Sequence, residues 1–384
     1  MIAGEASADS HAAALVREMK SREGNLDVFG VGGSELAAEG MDIWVNSEAL
    51  NVVGTTDFLD RAFEIIGTYR RLLRRVQEHR PDCAVLLDLP DFNLRMAKKL
   101  KAMGVPVVYY ISPQVWAWRK YRVKTIRKYV DRMLVLFPFE KDFYDKNGVD
   151  AEFVGHPLLD RIEARTEFRG PSQLMKAPRV TILPGSRISE LKYHGPIVAR
   201  LVDKFLERYP NAEIKIPVAS TLSVDQINRA MKVDDRVQLV RSSAIPILAW
   251  ADVAVVASGT ATLETALVGT PFCLFYQMSR LSVWIAKYIV RYKSFLGMPN
   301  LLSKREVVKE FLAERADAEL IFPECVRLLE DGEYRKDVIF HLLACRKHLG
   351  VGGASVRVAR EVFSVLREFP RRVSGRLLAS TQES

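Results

Sequence analysis

A chain of 384 residues, 48% hydrophobic and 27% charged, has the balance of a folded globular protein and is too long for one ordinary core, so two domains are expected. No window approaches about 18 uncharged apolar residues, and MIAGEASADS has neither the basic nor the apolar region of a signal peptide, so neither a membrane span nor a leader is expected. The formal net charge of +9 favours an anionic partner (nucleic acid, an anionic membrane surface or a phosphorylated substrate) without choosing among them; a solvated basic surface with no partner competes with all three.

The elements follow in chain order. Met1-Ile2-Ala3 leaves room for only a stub of a first strand, unless the true start lies upstream. The strands expected in the first half are 27–33, 83–89, 105–112 and 132–138, with helices at 57–79 and 91–103 between them. A polar stretch with Gly-Pro, 165–178, separates the halves. The second half repeats the alternation, with strands at 178–187, 212–219, 237–240, 252–258 and 272–277 and helices between them. Helices are expected again at 317–348 and 354–369, and the tail from Pro370, polar and aperiodic, is expected to be mobile. Strands apolar on both faces and separated by helices indicate parallel sheets covered on both sides, and two such series make two Rossmann-like α/β domains. Cys83, Cys273, Cys325 and Cys345 are scattered and lack metal-ligand spacing; they read as buried thiols of a reducing compartment, the cytoplasm by default.

In open α/β sheets ligands bind beyond the carboxyl ends of the strands, so residues that follow strands carry the candidates. Ser258-Gly259-Thr260 lies between a strand and a helix. Ser or Thr there can cap the helix, Gly259 permits close approach to the backbone, and the helix start faces an anion. Thr262 and Glu264 lie in the same motif, and Glu264, one turn in, suits ribose hydroxyls. A capped, tight turn with nothing bound is the alternative. LPGSRISE (183–190) is a second strand-to-helix turn, in which Ser186 can cap. Arg187 sits at a helix start, where the dipole disfavours a cation, which suggests an anionic ligand gripped by the guanidinium; a surface ion pair with Glu190 is the alternative.

DLPDFN (88–93) ends a first-half strand. Asp91 is expected to cap the following helix, which leaves Asp88 as a plausible general base; a metal site needs more ligands than this stretch offers. AGEASADSHAA (3–13) is a small-residue loop with Glu5, Ser7 and Asp9 as polar members, Asp9 or Ser10 being available as a cap. Trp116 and Trp118 follow a strand and precede Arg119, Lys120, Arg122, Lys124, Arg127 and Lys128. Such a cluster suits nucleic acid, a membrane interface, or simply a solvated basic face. In RLSVWIAKYIVRY (280–292) one helical face is apolar; Trp284 lies on it, and Arg280, Lys287 and Arg291 occupy an adjoining face. A core helix and an interfacial helix on an anionic membrane are equally open readings.

Taken together, GEASADSHAA, LLDLPDFNLRMAKKLK, YISPQVWAWR, PFEKDFY, VGHPLLD, LPGSRISEL, ASGTATLETALVGTP and MPNLLSKREVVKEFL resemble the lipid-A-disaccharide synthase family (glycosyltransferase family 19) from Gly4 to about Phe369. The resemblance implies a GT-B fold. Its first Rossmann-like domain (1–168) would be acceptor- and membrane-facing, and its second (177–348) would bind the UDP-sugar across a cleft. A C-terminal helix (349–369) would return to the first domain, ahead of a mobile tail (370–384).

It further implies a reaction without metal or cofactor. UDP-2,3-diacylglucosamine and 2,3-diacylglucosamine 1-phosphate would give, with inversion, the β-1,6-linked disaccharide 1-phosphate and UDP, at the cytoplasmic face of the inner membrane of a Gram-negative cell. Asp88 would be the base. Ser186, Arg187, Ser258, Gly259, Thr260, Thr262, Glu264 and Asn300 would hold the donor. Glu5, Ser7, Asp9, Trp116, Trp118 and Arg119 would form the acceptor side, and Trp284, Lys287 and Arg291 would touch the membrane.

The sequence departs from the family pattern at Ala8, which replaces a glycine and fits only at negative φ, at Asp57 for a common Glu, and in the truncated first strand. Another UDP-sugar transferase, a UDP-N-acetylglucosamine 2-epimerase, or a non-enzymatic basic protein binding nucleic acid or membrane stand as alternatives.

Overall fold

The computed structural model describes the chain apart from residues 5, 48–57, 117–119, 164–166, 169–175, 220, 233, 279–294 and 370–384, with backbone alone at 6 and 58–64. In chain order its first elements are β1 (Ile2–Ala3), α1 (Ala6–Arg22), β2 (Phe29–Gly32), α2 (Ser34–Ala38), β3 (Asp42–Asn46), α3 (Phe58–His79) and β4 (Ala84–Leu87). Then come α4 (Pro90–Ala102), β5 (Val107–Tyr110), α5 (Arg122–Tyr129), β6 (Arg132–Val135), α6 (Pro138–Asp145) and β7 (Ala151–Phe153). The second series is β8 (Arg179–Leu183), α7 (Ile188–Arg208), β9 (Glu213–Pro217), α8 (Val224–Met231), β10 (Gln238–Val240), α9 (Ala244–Trp250) and β11 (Val253–Ala257). It continues through α10 (Thr260–Val268), β12 (Phe272–Tyr276), α11 (Met298–Ser303), β13 (Glu310–Leu312), α12 (Ala318–Glu330), α13 (Gly332–Ala344) and α14 (Ala354–Glu368).

Two compact units result, Met1–Pro157 joined by the chain from Val351, and Leu158–Gly350. The chain changes unit just after Pro157 because Ile162 is buried in the second unit and both Nη atoms of Arg346 donate to its carbonyl at 3.0 Å.

The first unit holds a seven-stranded parallel sheet in the order β3-β2-β1-β4-β5-β6-β7. Its central strands, AVLL and VVYY, are buried throughout, as expected of strands covered on both faces. One face packs against Leu72 and Val76 of α3, Met96 and Leu100 of α4 and Ile126 of α5. The other packs against Leu15, Val16 and Met19 of α1 together with Val358, Val362 and Val365 of α14. Each of these buried aliphatic side chains contributes about 1.5–3 kcal/mol. Arg357 Nε donates to Val154 O at 2.8 Å, and Arg132 Nη1 pairs with Glu361 at 2.9 Å, so α14 is held by polar ties as well.

The second unit holds a six-stranded parallel sheet in the order β10-β9-β8-β11-β12-β13. VAVVA in β11 is wholly buried, flanked by β8 and β12. Among the described residues no helix is long and apolar enough to cross a membrane.

Three strands differ from the sequence expectation by being present at all: β3, β7 and β13. They are edge strands, short and carrying Asp42, Glu152 and Glu310, so the two-faced apolar run that marks a central strand is missing. Ala8 lies inside α1, fully buried and at negative φ, so the first loop accommodates it without strain.

Candidate functional site

Both sheets reverse their strand order once, and at such a switch point the loops beyond the carboxyl ends diverge and leave room for a ligand. In the first unit the switch lies between β1 and β4; in the second it lies between β8 and β11. The motifs singled out from the sequence flank these two points: residues 4–9 and Asp88 in the first unit, and 184–187 and 258–260 in the second.

Asp88 follows β4 directly and is half-buried. Its backbone is left-handed (φ 52), and so is that of Leu89 (φ 42, ψ 58). Two consecutive non-glycine residues in this region cost roughly 1–2 kcal/mol each, so something must hold them there. Asn93, fully buried in α4, donates through Nδ2 to Leu87 O at 2.9 Å and to Asp88 O at 2.6 Å. Tyr109 Oη on β5 donates to the same Asp88 carbonyl at 2.7 Å. Gly4 completes the arrangement: a Cβ there would stand 1.9 Å from Leu89 Cδ1. Asp91 is not the helix cap; Leu89 holds that position, Pro90 opens α4, and Asp91 is ion-paired with the buried guanidinium of Arg122. Arg122 thus turns inward from the basic run, while Lys120, Lys124, Arg127 and Lys128 stay exposed.

Ser7 is exposed in the first turn of α1. Asp9 caps a different helix from the expected one: its carboxylate accepts from Gly33 N at 2.6 Å and Glu35 N at 3.0 Å, at the start of α2. Ser10 is likewise inside α1. Trp116 is held by its indole, which donates to Glu140 Oε1 at 3.2 Å and meets Phe139 edge-on at 5.0 Å. Burial pushes the Glu140 carboxyl up to about 7, against the pull of hydrogen bonds from Trp116 and from the amides of Leu136 and Phe137. His156 is buried beside Phe137 and close to the buried His11; burial, with the neighbouring imidazole, lowers it to about 3, so it is neutral.

In the second unit neither expected serine is a cap. Arg187 occupies the N-cap of α7, and the Glu190 carboxylate does the capping. Glu190 Oε2 accepts from Ser186 N at 3.0 Å and Arg187 N at 3.3 Å, and Oε1 pairs with Arg187 Nη1 at 3.2 Å. The carboxylate also fills the space over Gly185, where a Cβ would lie 2.3 Å from it, at φ +110. His194, which belongs to none of the sequence motifs, fastens the same turn from below. Nδ1 donates to Pro184 O at 2.6 Å, and Nε2 accepts from Gln277 N at 3.1 Å. Burial lowers its pKa, in keeping with this neutral tautomer. Thr221 Oγ1 donates to Ser186 O at 2.6 Å. The spacing from Glu190 to His194, one helical turn on the same face, was the available signal.

At the other side of this switch, Gly259 is the N-cap of α10 with φ 152 and ψ −165, a conformation of glycine. Among the described residues, its two chain neighbours aside, no atom lies within 4 Å of where its Cβ would stand. Thr262 anchors the turn: its N and Oγ1 donate to Gly259 O at 3.1 and 2.8 Å. The amides ahead of it lack intrahelical acceptors, as at any helix start, and Thr260 is exposed and Ser258 half-buried beside them. Glu264 is half-buried, and burial raises its pKa against the opposing charge of Arg161.

Asn300 departs from the expected ligand contact. Its amide donates to Val308 O at 2.8 Å and Glu310 Oε1 at 2.9 Å, and its oxygen accepts from Val307 N at 2.7 Å and Val308 N at 2.9 Å. That is the full capacity of a primary amide, so Asn300 braces the 296–310 loop from within. Glu5, Asp57, Trp118, Arg119, Trp284, Lys287 and Arg291 lie outside the described residues. Among the described residues no group of His, Cys, Asp and Glu is arranged to hold a metal ion, and all four cysteines are free.

The family model described as Lipid-A-disaccharide synthetase matches residues 1–349. A lipid-A-disaccharide synthase of Myxococcus xanthus is 38% identical over 371 residues, covering 95% of this chain and 97% of the relative. One from Koribacter versatilis is 41% identical over 375 residues, covering 94% and 97%. Among solved structures, the Staphylococcus aureus MnaA–UDP co-structure superposes with a TM-score of 0.61 at 11% identity, covering 93% of each chain. MurG of Acinetobacter baumannii superposes with a TM-score of 0.55 at 12% identity, covering 95% of this chain and 98% of that one. At such identities the structural likeness speaks to the fold.

Proposed function

The chain belongs to the lipid-A-disaccharide synthetase family, a family of glycosyltransferases of lipid A biosynthesis, and from that premise we propose that it joins two acylated glucosamine units by an inverting transfer. The donor is UDP-2,3-diacylglucosamine and the acceptor 2,3-diacylglucosamine 1-phosphate. The acceptor's 6-hydroxyl oxygen attacks the anomeric carbon from the face opposite UDP. The new C–O bond forms as the bond to the diphosphate breaks, and its electron pair leaves on UDP. The hydroxyl proton passes to the carboxylate of Asp88. The products are the β-1,6-linked disaccharide 1-phosphate and UDP.

Charge that develops on the diphosphate is met by Arg187 and by the first-turn amides of α10 ahead of Thr262, which have no intrahelical acceptor, with Ser258 and Thr260 beside them and Glu264 accepting from ribose hydroxyls. Ser7 lies at the first unit's switch and belongs to the acceptor side. Exposed lysines of α5 and the apolar–basic 280–292 segment suit peripheral attachment to an anionic inner-membrane surface.

The observation that carries this reading is the position of Asp88. It is a carboxylate set immediately beyond β4, at the switch of its sheet, in a turn that backbone preference alone would not adopt. Asp88→Asn tests it. Turnover should fall by roughly 10²–10⁴ while UDP still binds. Near-normal turnover would remove Asp88 from the role of base.

A further inference from the structure

We propose that Asn93 and Tyr109 are positioning residues for the proposed base: they lock the main chain of Asp88 in its left-handed turn and so aim its carboxylate. The inference rests on the assignment of Asp88 above. Three hydrogen bonds converge on two adjacent carbonyls, Asn93 Nδ2 to Leu87 O at 2.9 Å, Asn93 Nδ2 to Asp88 O at 2.6 Å and Tyr109 Oη to Asp88 O at 2.7 Å. Both side chains are fully buried, so neither is available to a ligand at the surface.

Neither contact belongs to the regular pairing of the fold. The β4–β5 ladder ends at Leu87↔Tyr110, and the Asp88 carbonyl lies one residue beyond it. At that point a parallel strand normally releases its chain into a loop. Here a tyrosine from the neighbouring strand and an asparagine from the following helix catch the released carbonyl instead. Leu89, the next residue, is pinned by its side chain against Gly4, where any Cβ would collide. The left-handed turn at Asp88 (φ 52) is therefore fixed on both sides of the carboxylate-bearing residue.

Arg122 adds a charged boundary. Its buried guanidinium pairs with Asp91, three residues beyond Asp88, and its charge also reaches Tyr109. The turn thus sits in a closed set of contacts supplied by β5, α4 and α5. If it relaxed to an ordinary right-handed conformation, the Asp88 side chain would leave its present direction without any change of residue at the site itself.

The test uses the full-length protein with both acylated substrates. Tyr109→Phe removes one hydroxyl and keeps the ring; Asn93→Ala removes both amide donations. Each should lower kcat roughly tenfold or more, while KM for either substrate and affinity for UDP stay within about twofold. Both are then repeated in an Asp88→Asn background, followed by single-turnover product formation. Because the residues act through Asp88, the further loss there should be less than about twofold.

An equal loss in both backgrounds, or a Tyr109→Phe enzyme with unchanged kcat, overturns the positioning role. Failure of the base assignment is distinct: it appears as near-normal turnover of Asp88→Asn alone. If Asn93→Ala does not fold, Tyr109→Phe carries the test in both backgrounds.

Discussion

Gly259→Ala is the sharpest test of how the second unit's switch-point turn is built. At φ 152 and ψ −165 the residue sits where side-chain-bearing residues are rarely found. Because, chain neighbours aside, no atom of the described residues lies within 4 Å of the added Cβ, the cost falls on the backbone. Two routes are open to the variant. It can keep the turn and bear a backbone cost of about 1–3 kcal/mol. Or it can rotate to an ordinary φ, which swings the Gly259 carbonyl away from Thr262 N and Oγ1 and gives up two hydrogen bonds worth about 1 kcal/mol each.

Either route removes roughly 2 kcal/mol, and for a unit of this size that is about 4–8 °C in the melting transition. The methyl also projects over the helix start, so UDP affinity should fall by at least about tenfold. Thermal denaturation and titration calorimetry with UDP read the two effects. A variant that melts with the wild type and binds UDP as tightly would show that neither the conformation nor the openness of this turn matters.

Two further outcomes follow from the same geometry. Burial raises the Glu140 carboxyl from 4.5 to about 7, so the folded state holds a proton that the unfolded state has already lost. The sign is therefore a loss of stability as pH rises between those values, reaching ~3 kcal/mol above them. Glu140→Gln should gain about 2–3 kcal/mol on the wild type between pH 4.5 and pH 8 in denaturant unfolding; a pH-independent difference would contradict the burial argument. The lowered pKa of His156 acts in the opposite direction, removing stability as pH falls from 6.5 toward about 3, and cancels in that comparison. Arg187→Ala should leave stability within about 1 kcal/mol, because its guanidinium is substantially exposed and Glu190 keeps the Ser186 and Arg187 amides, yet weaken UDP binding roughly tenfold to a hundredfold in calorimetry. Unchanged affinity would take Arg187 out of the site.

The alternation of buried strands and amphipathic helices is plain in the sequence because AVLL, VVYY and VAVVA are covered on both faces, and water touches neither side of such a strand. The edge strands β3, β7 and β13 escaped because each is short, is not buried throughout and carries an acidic residue. The strand-to-helix turns at 184–187 and 258–260 were recognisable from their small residues, but their chemistry was not. A serine beside a helix start reads locally as a cap, whereas the actual caps are a carboxylate one turn on, Glu190, and a glycine backbone, Gly259.

The same limit accounts for Asp9, Asp91 and Asn300. Each is a polar residue near the expected site whose partners, the α2 amides, Arg122 and the 307–310 segment, are brought to it only by folding. His194 and Tyr109 show the converse: residues without any motif that reach a catalytic-looking turn from the neighbouring element.

The identity of the product is the most direct test of the proposed transfer. The full-length protein, incubated with UDP-2,3-diacylglucosamine and 2,3-diacylglucosamine 1-phosphate, should yield by mass spectrometry a tetraacylated disaccharide 1-phosphate and an equal amount of UDP. Absence of the disaccharide, with turnover of plain UDP-N-acetylglucosamine in its place, would contradict it.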